Sequence, residues 1–350
     1  MRFYTEQHQY YCGIDLHART MYVCVLDQDA DVLVHRRIRC RRRAFLRLIE
    51  PYRDDLVVGT ECLFCWYWVA DLCVEEEIDF VLGHALYMKA IHGGKSKNDR
   101  IDSHKIAHLL RGGNFPYAFV YPRDMRSTRD LLRRRVFFAR KRGELLAHIQ
   151  NTNTQYNLDP LEKRIDRLSN RTELLEHFAE DENVQMSVAA DMALLDGFEE
   201  TITELELFLV SQAKVHDAAA FYLLRSIPGV GKILSMTILY EIYQISRFPG
   251  VGHFLSYSRL VKGSWESDGK KKRGASGAKK IGNVHLKWAF SEAAALFLRG
   301  NPVGQAYFQR LERKHGKGKA MSVLAAKLGR AVYYMLNRHQ PFDLSRFVAA

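Results

Sequence analysis

The chain has 350 residues, and 52 Lys+Arg against 40 Asp+Glu leave a formal net charge of +12. With 47% hydrophobic and 11% aromatic residues it carries apolar material for more than one core, which excludes disorder as a description of the whole chain and, at this length, predicts two or three domains. Such a surplus of positive charge does not suit an enzyme of small metabolites and points to a polyanion, of which nucleic acid is the commonest.

Residues 10–26 (YYCGIDLHARTMYVCVL) are dominated by β-branched, aromatic and Cys residues and predict two strands joined by a short turn, with Asp15 just after Gly13. The runs 56–60 (LVVGT, ending at Glu61) and 78–82 (IDFVL) predict further strands, and 41–50 and 64–76 predict helices between them. Strands alternating with helices make residues 1–125 an α/β layer domain. From Arg126 the apolar residues Leu132, Val136, Ala139, Leu146 and Ile149 recur at helical intervals, and Leu195, Phe198, Ile202, Leu205 and Leu209 advance by three and four residues in turn. Residues 126–220 therefore read as a helical, coiled-coil connector with a break at Asn157-Leu158-Asp159-Pro160. Its stripe suits equally a hairpin packed on its own domain or a seam between copies. After Phe221 glycine returns in Pro228-Gly229-Val230-Gly231 and in 262–282, and helices are predicted over 284–298 and 318–337, the last with Ala325, Leu328, Val332 and Met335 as its apolar face. Residues 221–350 form a third, mostly α domain with a long basic loop.

All six cysteines fall between Cys12 and Cys73, no charged-then-apolar leader opens the chain, and the longest apolar run (63–74) is interrupted by Asp71. These features predict a reducing, cytoplasmic setting without a membrane span. Cys62 and Cys65 lack a second ligand pair and read as helix-buried thiols rather than a zinc site.

Asp15 and Glu61 stand at the ends of predicted core strands, and Asp99 and Asp102 share one face of a helix opening within Lys97-Asn98-Asp99-Arg100-Ile101-Asp102. Each acid taken singly has a structural explanation, as a turn residue, a surface strand end or a complement to a helix N-terminus. Together they form a cage for one or two Mg²⁺ ions, which take a few carboxylates plus substrate phosphate oxygens. His17 and His104 lie near these acids and read as polar neighbours. Gly229, Gly231 and Lys232 belong to a helix-hairpin-helix-like turn that either approaches a phosphate or simply joins two helices. The turn is no Walker A loop, since Ser226 replaces the leading Gly and Ile233 the Ser/Thr. Three basic clusters suit nucleic-acid backbone: Arg36, Arg37, Arg39 and Arg41 to Arg43; Arg133, Arg134, Arg135, Arg140, Lys141 and Arg142; and Lys270, Lys271, Lys272 and Arg273 with Lys279 and Lys280. From composition and spacing alone the chain is a metal-dependent enzyme acting on nucleic acid.

The order Gly13-Ile14-Asp15, Glu61, and Lys97-x-Asp99-x-x-Asp102 resembles the DEDD, RuvC-like domain of IS110-type transposases and of the related Piv-type DNA invertases. The resemblance continues through Ser226-Ile227-Pro228-Gly229-Val230-Gly231, Arg247-Phe248, Glu266-Ser267-Asp268-Gly269, Arg273-Gly274-Ala275-Ser276 and His285-Leu286-Lys287, which follow the C-terminal transposase domain of that family. It implies an RNase H-like first domain, Asp15, Glu61, Asp99 and Asp102 as the metal-binding tetrad, and Ser267 as a nucleophile forming a covalent serine–DNA intermediate. It also implies donor and target DNA, a noncoding bridge RNA as guide, and a homo-oligomer, dimer or tetramer, in which carboxylates and serine of different copies meet. Two departures stand out. Cys62-Leu63-Phe64-Cys65-Trp66 replaces the family's usual Ala-Thr-Gly after its Glu, and Asp268 separates Ser267 from its Gly, so that Ser264 and Ser276 are alternative nucleophiles. A hydrolytic RuvC-like nuclease or junction resolvase, a Piv-like invertase, and a nucleic-acid-binding protein without catalysis are the other readings.

Overall fold

The computed structural model describes residues 2–91, 98–161, 165, 170–171, 174–261, 266–267, 270–271 and 281–349. Residues 1–123 and 124–350 form two compact units. In the first, strands β1 (Phe3–Tyr4), β2 (Tyr10–Leu16), β3 (Thr20–Leu26), β4 (Val32–Arg39), β5 (Leu56–Glu61), β6 (Asp79–Gly83) and β7 (Phe115–Ala118) make one sheet in the order β1-β7-β6-β5-β2-β3-β4. Strands β2, β3 and β4 are an antiparallel meander, β5 runs parallel to β2, and β6 runs parallel to β5. Strands β7 and β1 close the other edge in antiparallel pairings.

The side-chain period of two divides β2 between two cores. Cys12, Ile14 and Leu16 face a cluster with Phe45 and Ile49 of α1 (Arg42–Ile49) and Val69 and Leu72 of α2 (Tyr67–Glu75). Tyr11 on the opposite face joins Val57, Val81, Ile106 and Leu110, so that α4 (Asp99–Arg111) packs on that side, while α3 (Ala85–Ile91) follows β6. Gly13 and Gly59 share the α4 face. A Cβ on Gly59 would come 2.7 Å from Leu110 Cδ1, so α4 sits lower on the sheet than bulkier strand residues would allow.

Two details differ from the sequence expectations. The helix expected over 64–76 starts at Tyr67, because Cys62 N donates to Gly83 O at 2.9 Å and extends the β5–β6 ladder, while the buried Trp66 turns the chain inward. Cys62 is therefore exposed on a loop rather than helix-buried, and Cys65 is half-buried. In addition, the first basic cluster begins on a strand: Arg36, Arg37 and Arg39 lie exposed on β4, an edge strand whose charges discourage pairing with other chains.

Among its described residues the second unit is helical apart from a two-stranded antiparallel pair. Its elements are α5 (Arg123–Gln155), α6 (Leu174–His177), α7 (Glu182–Arg225), α8 (Lys232–Ile242), α9 (Val251–Tyr257), β8 (Glu266–Ser267), β9 (Lys270–Lys271), α10 (Val284–Phe297), α11 (Pro302–His315), α12 (Lys317–Arg338) and α13 (Leu344–Ala349). Ion pairs Arg135–Glu206, Arg142–Glu199 and His148–Asp191 climb α5 while descending α7, so these helices pair antiparallel within one chain. Leu195, Ile202 and Leu209 of the heptad stripe are buried. Phe198 and Leu205 of the same stripe are half-buried. The C-terminal helices enclose a core that includes Met236, Phe254, Phe290, Phe297, Leu324 and Val332. Among the described residues no helix is long and apolar enough to cross a membrane.

Candidate active site

Asp15 is the penultimate residue of β2, and Glu61 is the last of β5. Ile14 pairs with Thr60 in the parallel ladder, so the same register brings Asp15 level with Glu61 at the carboxyl ends of two adjacent strands. Alternation places both on the α4 face, with Gly13 and Gly59 two residues before them. α4 begins there. Asn98 caps it, its side-chain oxygen accepting from Ile101 N at 2.8 Å, and Asp99 and Asp102 occupy the first turn, where negative charge complements the helix dipole. His35 on β4 fastens the same turn, since its Nε2 donates to Arg100 O at 2.8 Å. Burial, with the neighbouring His108 and His35, holds His104 below the ordinary histidine range.

The structure brings Asp15 and Asp99 together through a residue that sequence reasoning treated as a bystander. His17 Nε2 lies 3.5 Å from Asp15 Oδ2 and 3.3 Å from Asp99 Oδ2, and one ligand atom from each of the three residues falls within 4.8 Å of the others. Asp15 is mostly enclosed, whereas His17 and Asp99 are half exposed, so the group opens to solvent on one side. Asp102 stands one turn farther along α4, with Lys105 Nζ at 3.7 Å from its Oδ1. Asp102 and Glu61 lie outside the tight triplet. The parity of β2 carries the signal for His17, because two residues after Asp15 the chain returns to the same side.

Carboxylates this close repel unless a cation stands near them. The donor set, oxygen-rich with one imidazole, fits a divalent ion: hard oxygen donors suit Mg²⁺, and an imidazole is compatible with Mn²⁺ as well.

In the second unit Ser267 lies on β8, paired with Lys270, and Glu266 pairs with Lys271. Lys272, Arg273, Lys279, Lys280, Ser264 and Ser276 fall outside the described residues, as does Lys97. Gly229 (φ +80) follows α7 in the turn, and a Cβ there would come 2.4 Å from Leu296 C, so its glycine is required by the close approach of α10. Gly231 and Lys232 at the start of α8 are exposed.

Arg133, expected to face nucleic-acid backbone, is engaged inside the protein instead. Its Nε and Nη2 donate to Glu241 at 2.7 and 2.9 Å, Arg129 Nε donates at 3.0 Å, and Asn283 Nδ2 donates at 2.7 Å. Glu241 on α8 is only 3% exposed. Burial alone would raise its carboxyl, but the hydrogen bond from Arg133, the charges of Arg129 and Arg133 and the hydrogen bond from Asn283 outweigh it and bring the pKa down to about 2. Asn283 also caps α10, accepting from His285 N and Leu286 N. Arg134, by contrast, is exposed, its guanidinium 5.6 Å from the Phe137 ring centroid.

Residues 12–158 match the DEDD transposase of IS110 elements, and residues 222–309 match the transposase IS116/IS110/IS902 family. No curated protein matches the chain. The first match spans Asp15, Glu61, Asp99 and Asp102, and the second spans Glu241, Ser267 and Asn283. The chain belongs to the IS110/IS116/IS902 family of transposases, DNA-recombining enzymes whose DEDD domain implies dependence on a divalent metal.

Proposed function

We propose that the chain is the transposase of an IS110-like insertion sequence, cleaving and exchanging DNA strands through a covalent bond between Ser267 and DNA. The observation that carries this reading is the convergence of Asp15, His17 and Asp99 at the carboxyl end of β2, with Glu61 level on β5 and Asp102 one turn along α4. In this reading the sheet, with its central β2 flanked by an antiparallel meander and by parallel β5 and β6, is RNase H-like. Asp15, Glu61, Asp99 and Asp102 hold Mg²⁺, two ions in a full site. Bound there, the metal neutralises phosphate oxygens and favours departure of the leaving oxygen.

The remaining work falls to the protein's own groups. Ser267 Oγ attacks the phosphorus, the bond to the 3′ oxygen breaks, and the 3′ hydroxyl leaves. The phosphoserine ester retains the energy of the broken bond, so a 3′ hydroxyl from a partner strand can attack it, reform a phosphodiester and release the serine without ATP. Lys270, Lys271, Lys272 and Arg273, next to Ser267 in sequence, grip DNA backbone near the reacting phosphate. The exposed Arg36, Arg37 and Arg39 on β4 and Arg134 on α5 are suited to a noncoding guide RNA. Gly231 and Lys232, at a helix start, supply a further phosphate contact. The active form is a homo-oligomer.

The test is an SDS-stable adduct assay on junction DNA with RNA from the element's flank, in Mg²⁺ or EDTA. The expected result is a covalent protein–DNA band that needs both Mg²⁺ and Ser267. Cut ends that persist without adduct in Ser267→Ala would replace this reading with a hydrolytic nuclease.

A further inference from the structure

Phe64 is 85% exposed, more than any other large hydrophobic residue among the described residues. Single exposed apolar residues are common and mean little by themselves. What sets Phe64 apart is where it stands and how firmly its loop is held. It follows Glu61 by three residues, so its Cα lies at most about 11 Å from that of Glu61. The loop is fixed at its start by Cys62 N donating to Gly83 O at 2.9 Å and Leu63 N donating to Glu61 O at 2.8 Å. Its end is fixed by Trp66, which is buried and stacked at 6.4 Å on Phe80, and by the Cys65 thiol, which donates to Leu16 O at 3.5 Å, one residue past Asp15. Burial and, less strongly, the charge of Asp15 raise the pKa of that thiol. The loop therefore holds one aromatic residue in solvent three residues past Glu61, between fixed points on either side, so ordering it costs little on binding.

We propose that Phe64 is a base-stacking subsite, its ring receiving the face of an unpaired nucleobase next to the phosphate held at Asp15, Glu61 and Asp99. This inference rests on the reading of that carboxylate group as the site of DNA cleavage. A protein partner would cover a contiguous apolar patch, whereas the apolar neighbours of Phe64 in sequence are withdrawn, Leu63 half-buried and Trp66 buried. An exposed planar ring close in sequence to carboxylates that would hold a phosphate through a metal supplies the aromatic face on which proteins stack the bases of single-stranded nucleic acid.

The experiment measures binding without chemistry. Wild-type protein in Ca²⁺ is titrated into a duplex with a central unpaired bubble containing 2-aminopurine, and into the same duplex fully paired, reading fluorescence and affinity. Phe64→Ala is expected to lose the stacking quench and to bind the bubble about ten-fold more weakly, with unchanged affinity for the paired duplex and an unchanged melting temperature. Phe64→Trp restores both signals and Phe64→Leu does not. Equal quench and affinity in Phe64→Ala, or equal losses on bubble and paired DNA, would overturn the subsite. The quench is independent of Ser267: if Ser267→Ala keeps cutting, the covalent reading fails while the stacking signal stands. A wild-type protein that binds neither DNA overturns both.

Discussion

Gly13 and Ser103 touch so closely that a Cβ on Gly13 would stand 2.2 Å from the Ser103 carbonyl oxygen, and 2.4 Å from Ala107 N. Both neighbours are helix backbone, which cannot rotate away as a side chain can. The glycine lets α4 lie directly on β2, and that contact sets how near the Asp99 turn comes to Asp15. Gly13→Ala must shift the helix, at a cost of about 1–3 kcal/mol for overpacking. The expected outcome is a folded but less stable protein in which metal-dependent cleavage falls more than stability does. Thermal melts and Mn²⁺ titration by paramagnetic resonance check it, and a variant with wild-type metal affinity would contradict it.

The His17 imidazole lies between two carboxylates, so its removal takes away the group that bridges Asp15 and Asp99. In EDTA, His17→Ala is expected to melt a few degrees below wild type. A ligand bound only by the folded state stabilises it in proportion to its saturation. Mg²⁺ should therefore raise the melting temperature of wild type, raise that of His17→Ala by a smaller increment, and leave Asp15→Asn and Asp99→Asn nearly unchanged. Scanning calorimetry with and without Mg²⁺ reads all four proteins. Equal increments in all of them would remove these residues from the metal site.

Glu241 gives the second unit a defined response to acid. A carboxyl titrating at about 2 when folded, against 4.5 for an unperturbed one, binds its proton less readily in the folded state. Its contribution is complete above pH 4.5 and is lost as pH falls toward 2, an amount of about 3 kcal/mol. Glu241→Gln should flatten this part of the stability–pH curve. Glu241→Ala, which removes the buried carboxylate that Arg129 and Arg133 share, should cost about 3–5 kcal/mol at neutral pH. Urea unfolding at a series of pH values checks both. An unchanged acid limb in Glu241→Gln would show that other carboxylates set it.

Much of this architecture is legible in the chain because its signals are local. Strands β2 and β3 are buried on both faces and read as apolar runs rich in Tyr, Cys and Val, interrupted in β2 only by Gly13 and Asp15, and α4 announces itself with Asn98 and two acids in its first turn. Strand β4 hides because, at the sheet edge, Arg36 and Arg37 interrupt Val34 and Ile38, and a charge run normally reads as solvated surface. The Glu241 network hides for another reason. Arg133 and Glu241 are 108 positions apart, and nothing in a stretch of arginines distinguishes the one that folds inward from those that stay in solvent.

That distinction separates Arg133 from Arg134, adjacent in sequence and opposite in circumstance. The first donates twice to a buried carboxylate; the second is exposed. An arginine neutralising a phosphate contributes about one unit to the salt dependence of binding, whereas one paired internally contributes none. Arg134→Ala is expected to lower the slope of log affinity against log salt by about one and to leave the melting temperature within about a degree of wild type. Arg133→Ala should do the reverse, with a melting temperature several degrees lower and, in protein verified as folded, an unchanged slope. Fluorescence anisotropy with junction DNA, or with the proposed guide RNA, from about 50 to 200 mM salt measures the slopes. A reduced slope in folded Arg133→Ala would mean that its bond to Glu241 opens to meet nucleic acid, which would make the buried carboxylate a competitor for the bound backbone.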